Sequence, residues 1–272
     1  MALAFIPSDA AVLALQAGVV AAPRPAPRLA IAERLHGPAW ALVPVGSVVV
    51  VVFAIRFVSD TATGLTYLAL VAVPPLAAGA LWWATRGARP WAAFAAAPMF
   101  AVAWAAHKSL AGEAAAALLS ALSCVTLGVL LASVTPPAWL KAGILMMAAA
   151  DSWLVISDLL QAPNATLIAA HPTGGLPQLQ SELFGSVSMG YGDMFVAALL
   201  GAVLASNRRR QRSAALVTLA LAALFDLLFL AVNELPATVP VALALIVVEL
   251  WPKLSARRWT SRPAAATPRP VR

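Results

Sequence analysis

Charge is what this sequence has least of. Of 272 residues only 11% are Asp, Glu, Lys or Arg, against 62% apolar, where a soluble globular domain carries about a quarter charged residues. With a mean hydropathy of +0.87, that balance excludes a soluble enzyme, a disordered chain and a nucleic-acid-binding module. Cysteine is nearly absent. Cys124 stands alone in an apolar run, so neither a disulfide framework nor a cysteine metal site can be built. Histidine is scarce too. His36, His107 and His171 fall at the ends of apolar runs or between them, and no H-E-x-x-H or G-x-S-x-G occurs. Zinc-protease and serine-hydrolase chemistry therefore lack their residues, and no metal or organic cofactor is expected.

What is present in quantity is long hydrophobic runs. Nine apolar segments fall at about 8–22, 39–58, 64–84, 91–107, 113–135, 138–160, 182–206, 213–232 and 236–252, each near the roughly 20 residues that cross a bilayer. The first is short and contains Gln16, and Met1 to Pro7 carries no basic residue of the kind that opens a signal peptide. Pro44, Pro74, Pro75 and Pro98 lie inside segments, which membrane helices tolerate where neighbours re-satisfy the freed carbonyls. The expected architecture is all-α and polytopic, with about nine transmembrane helices. Residues 1–135 would be a five-helix scaffold and 136–252 would hold helices six to nine. Residues 253–272, rich in Arg and Pro, would be a disordered basic tail.

The +7 net charge and pI near 10.7 read as a topology signal rather than as a nucleic-acid footprint. With nine spans, 16 of the 18 basic residues fall on one side, and only Arg56 and Lys108 on the other. The positive-inside rule then puts the N-terminus outside and the C-terminus in the cytoplasm of a multi-pass plasma-membrane protein. Arg208, Arg209, Arg210 and Arg212 read as an orientation signal and headgroup contact. Trp82, Trp83, Trp91, Trp139, Trp251 and Trp259, near span ends, read as interface anchors.

Acids at membrane depth are expensive and mark function by default. Asp151 and Asp158 fall in the sixth segment, Asp193 in the seventh, Asp226 in the eighth and Glu249 in the ninth. Asp151 lies ten residues from the outer end of its segment and Asp193 eleven residues into the next, about 15 and 16 Å at the helical rise. Asp158, about 4.5 Å from the outer end, reads as a solvated interfacial acid. Glu249 can pair with Lys253 four residues on. Asp226 has no matching acid, and a bland pairing with Asn233 is as good a reading as a third functional acid. Two adjacent carboxyls share a proton, one acting as base toward water and the other as acid toward a carbonyl. Gly190 and Gly192, just before Asp193, remove side-chain bulk where water and a substrate backbone must approach.

The stretch Phe184-Gly-Ser-Val-Ser-Met-Gly-Tyr-Gly-Asp-Met-Phe resembles the second-aspartate helix of the G-x-G-D intramembrane aspartyl proteases, the presenilin and signal peptide peptidase family. The family's first aspartate maps onto Asp151, and its Pro-Ala-Leu signature resembles Leu235-Pro236-Ala237-Thr238. The resemblance covers about 138–252. It implies catalytic Asp151 and Asp193, substrate contacts at Gly190, Tyr191, Gly192, Leu235, Pro236 and Ala237, and transmembrane peptide substrates. In that family an unwound substrate adds a strand near the active site; the loop at 162–181 and the Pro236 region are the expected platform. An outside N-terminus resembles signal peptide peptidase, whose substrates have a cytoplasmic N-terminus. Homo-oligomerisation stays open.

This chain departs from the family at two places. Ala150 stands where the family has Tyr, and Thr238 where it has Leu. Those two departures also fit a catalytically inactive homologue, and three further rivals remain. A potassium channel would read Ser-Met-Gly-Tyr-Gly-Asp as a filter. The apolar run from Met194 ends before Asn207, too soon for the full inner helix that must follow a filter, and 182–206 is better read as one span with Asp193 inside it. A prepilin-type peptidase shares G-x-G-D but wants a lysine after it and a wider spacing than that between Asp151 and Asp193. A transporter or structural membrane protein would use the paired Asp as proton or cation ligands.

Overall fold

The computed structural model describes residues 2–27, 46, 61–157, 159, 161–170, 172–230 and 236–260. The apolar segment at 39–58, apart from Gly46, lies outside these residues, as do Asp158, Asn233, Leu235 and the tail from 261 onward.

The described residues are mostly helical. Helix α1 spans Ala2–Ala21. Helix α2, Thr61–Gly79, passes into a π turn at Ala80–Ala84, and a 3-10 turn at Pro90–Ala95 leads into α3, Ala96–Ala105. Then come α4, Leu110–Val134, α5, Pro137–Ile156, and the short α6, Gln161–Ala169. Strands β1, Ser181–Phe184, and β2, Val187–Gly190, precede α7, Tyr191–Leu204. Helix α8, Arg208–Asp226, ends in a 3-10 turn, and α9 spans Thr238–Thr260.

Local sequence sets the boundaries. Ser109 caps α4, its Oγ accepting the Gly112 N–H at 3.4 Å, and Glu113 follows in the first turn, where a carboxylate suits the helix dipole. Pro137 opens α5, where its missing N–H costs nothing. Asn207 caps α8 through the Arg210 N–H at 3.1 Å. Pro74 and Pro75 lie within α2, and just after them Thr126 of α4 donates to the Leu76 carbonyl at 2.7 Å.

Among the described residues, three helices are long and apolar enough to cross a membrane: Thr61–Ala84, Leu110–Val134 and Pro137–Ile156. The surface agrees with such a setting. Val71, Phe94, Trp153 and Ile156 are largely exposed, while Gln16, Ser120, Ser123, Gln211 and Thr218 are buried. Water would reverse that arrangement.

Helix α7 is the hub. Its residues from Val196 to Ala202 are buried, and α4, α1, α5, α9 and α8 all pack against it. A helix apolar all round belongs inside a bundle. Two glycines let its neighbours close in. A Cβ on Gly128 of α4 would sit 3.0 Å from the Ala198 carbonyl, and one on Gly201 would collide with the Val20 carbonyl of α1. The hub thus ties α1 and α4 of the N-terminal half to α5, α8 and α9 of the C-terminal half in one core.

The seventh segment differs from its expected form. Residues 182–206 are not one continuous helix: a hairpin occupies the first part and α7 begins only at Tyr191. Its strands pair antiparallel from Ser181↔Gly190 to Phe184↔Val187, leaving Gly185-Ser186 as a two-residue turn with Gly185 at φ 62°. Gly185 supplies the positive φ that such a turn needs, and Val187 favours the strand. The apolar content of this stretch masks its period. The all-α expectation therefore misses one hairpin. The loop at 162–181 likewise contains α6.

Candidate active site

Each of the two expected acids comes from a different packed helix. Asp151 lies five residues before the C-terminal end of α5 at Ile156, about 7.5 Å along the axis. Asp193 is the third residue of α7. The depth expected for Asp193 presumes a continuous helix, and the hairpin removes that premise. The two helices pack on each other, and the carboxyls are still close enough to interact electrostatically.

The surrounding groups fix one oxygen on each acid. Thr238, in the first turn of α9, donates its hydroxyl to Asp151 Oδ2 at 2.6 Å. The Gly190 N–H donates to Asp193 Oδ2 at 3.3 Å, half of a capping box across the strand-to-helix junction. Both acids are half-buried, and Gly192 beside them is exposed. The two glycines do different work. A Cβ on Gly190 would lie 3.0 Å from Asp193 Oδ2, whereas one on Gly192 would meet nothing within 4 Å. Gly190 makes room for the carboxyl, and Gly192 leaves open space next to it.

Tyr191 turns away from the acids. Its hydroxyl bonds Ser123 Oγ of α4 at 2.7 Å. Tyr191 and Gly192 are helical, so their carbonyls cannot form the extended ladder a potassium filter needs. Pro236 and Ala237 lead directly into Thr238, which touches Asp151. The Ala237 carbonyl accepts Gln16 Nε2 from α1 at 3.3 Å, so the residue that weakens the first apolar segment braces the start of α9. Leu235 lies outside the described residues.

The hairpin is anchored over this region. Glu113 Oε2 accepts the Gly185 N–H at 2.7 Å, and β1 packs along α4 while β2 touches α1. A two-stranded sheet has an unpaired edge on each side. The paired strands lie at 181–190, beginning at the last residue of the loop expected as the platform.

The other acids are placed as follows. Glu249 takes Lys141 of α5 at 2.8 Å, a partner distant in sequence that helical spacing cannot suggest. Asp226 lies beside Asp9 of α1, so a second acid pair exists that the sequence does not signal. Among the described residues, no three His, Cys, Asp or Glu side chains converge as a metal site would require. No family model, no curated protein and no solved structure matches the chain.

Proposed function

We propose that this chain is an intramembrane aspartyl protease of the presenilin and signal peptide peptidase kind, a nine-span plasma-membrane protein with its N-terminus outside. The observation that carries the reading is the electrostatic proximity of Asp151 and Asp193. They sit on separate helices, each with Oδ2 held by a protein donor, beside a glycine that faces open space.

Peptide-bond hydrolysis needs little more than this. One carboxylate takes a proton from water as the oxygen attacks the scissile carbonyl, while the other carboxyl gives its proton to the carbonyl oxygen. The tetrahedral diol collapses as the C–N bond breaks, the leaving nitrogen gains a proton and the pair returns to sharing one. Thr238 and the Gly190 N–H hold the carboxyls, so their free oxygens can face water and substrate. The hairpin supports the reading from the substrate side. A segment unwound from its helix must satisfy its backbone polar groups, and an unpaired strand edge offers donors and acceptors at the right spacing. Substrates would be transmembrane segments with a cytoplasmic N-terminus.

The test is cleavage of a detergent-solubilised transmembrane peptide by wild type, Asp151→Ala and Asp193→Ala. Loss in both variants is expected, and activity surviving in either would sink the assignment. Reporter fusions at residues 170 and 210 test the topology: the first is expected outside and the second in the cytoplasm.

A further inference from the structure

A cavity of about 280 Å³ lies between the end of α1, the turn after α2 and the start of α8, lined by Gly18, Thr85, Arg86, Arg208 and Arg212. Among the described residues, no carboxylate lines it. Arg86 is built into the fold. Its backbone N–H bonds the Ala22 carbonyl at 2.9 Å, its Nε bonds Gln211 Oε1 at 3.0 Å, and its Nη2 reaches the Ala205 carbonyl. Its guanidinium pKa is lowered by burial, and further by Arg208 and Arg212.

Arg208 and Arg212, by contrast, have no hydrogen bond or ion pair from their side chains among the described residues. They stand four apart on one helix face, where like charges repel, and at a helix N-terminus, where the dipole opposes cations and favours anions. Local sequence physics works against this arrangement three times over, with a fixed guanidinium, an i,i+4 repulsion and a wrong-sign terminus. An anion in the cavity would reverse all three.

We propose that this cavity binds a phosphate group, gripped by Arg86, Arg208 and Arg212. Arginine's planar fork suits phosphate oxygens. The neighbouring Trp82 and Trp91 are exposed, Arg89 lies over the Trp91 ring at 5.9 Å, and Trp and Arg of this kind collect at the headgroup level of a bilayer. The phosphodiester of an anionic phospholipid and a free phosphate share this chemistry.

The test uses the purified full-length protein in detergent, with phosphatidylglycerol, phosphatidylcholine or inorganic phosphate added, read by native mass spectrometry and by the thermal midpoint. Three proteins are compared: wild type, Arg208→Gln/Arg212→Gln, and the charge-matched Arg209→Gln/Arg210→Gln, whose residues lie outside the cavity lining. Wild type is expected to retain phosphatidylglycerol over phosphatidylcholine. The first double variant should lose about tenfold in that retention, and the second should stay close to wild type. If inorganic phosphate alone stabilises wild type but not Arg208→Gln/Arg212→Gln, the ligand is a soluble phosphate; if only phosphatidylglycerol does, it is the lipid. Equal loss in both double variants would overturn the site in favour of general charge attraction. So would a wild type that prefers neither phosphatidylglycerol nor phosphate.

Discussion

The hydroxyl of Thr238 donates to Asp151 Oδ2 at 2.6 Å, joining α9 to α5 across 87 residues of sequence. Thr238 itself is buried. Thr238→Val, of nearly equal volume, is expected to leave Asp151 without this donor and to lower kcat for peptide cleavage about ten- to a hundredfold, as loss of one hydrogen bond to a charged group would. KM should change little, because the hydroxyl bonds the acid and not the substrate. Thr238→Ser should restore most of the rate. Equal kcat in the Val and Ser variants would show that the hydroxyl plays no part.

Asp193 has a structural role as well as the proposed chemical one, since it accepts the Gly190 N–H at the start of α7. Asn can accept the same bond, whereas Ala cannot. Asp193→Asn should therefore keep the thermal midpoint near wild type while abolishing cleavage. Asp193→Ala should abolish cleavage and also lose stability, by about 0.3–1.5 kcal/mol for a lost cap. Cleavage retained by the Asn variant would mean that Asp193 only caps a helix.

The residues legible in the sequence are those whose type is informative wherever they stand. Acids in apolar runs are rare enough that Asp151 and Asp193 stand out. Glycines beside Asp193 signal backbone approach, and hydrophobic runs locate the helical stretches at 61–84, 90–105, 110–134 and 137–156 to within a few residues. What escapes is long-range geometry. Gln16 reads as a flaw in a span until Ala237 is found opposite it. Thr238 reads as a departure from a motif until Asp151 proves to be its partner. The hairpin escapes because Ser-Glu-Leu-Phe-Gly-Ser-Val-Ser-Met-Gly sits next to an apolar run, and its alternation is too short to outweigh that run.

Glycines test where space is structural and where it is functional. At Gly192 a methyl group would meet nothing within 4 Å, so Gly192→Ala should fold normally, with a midpoint within a few degrees of wild type, yet slow cleavage by intruding beside Asp193. At Gly201 the same methyl would run into the Val20 carbonyl and come 3.0 Å from Pro23 Cδ. Gly201→Ala should therefore force α1 and α7 apart and destabilise by about 1–3 kcal/mol. Thermal unfolding and a peptide-cleavage assay on both variants separate the effects. A Gly201→Ala variant as stable as wild type would show that the helix contact can relax.

The amide of Gln211, 1% exposed, is the polar knot of the bundle's other end. Its Nε2 lies 3.1 Å from the Val20 carbonyl, 2.9 Å from the Pro23 carbonyl and 3.1 Å from the Gly201 carbonyl, while Oε1 accepts Arg86 Nε at 3.0 Å. One side chain thereby satisfies carbonyls from two helix ends and a guanidinium. Gln211→Leu keeps the volume but strands all of them, and Arg86 would lose a partner. The expected cost is about 2–4 kcal/mol, above that of an ordinary hydrogen bond, because several buried groups go unpaired together. Gln211→Glu keeps the acceptor for Arg86 but turns the donor into a second acceptor facing three carbonyls, so it should also destabilise. A Glu variant as stable as wild type would place the weight of the knot on Arg86 rather than on the carbonyls. Two such variants, read by thermal unfolding in one detergent, decide between the halves of the amide.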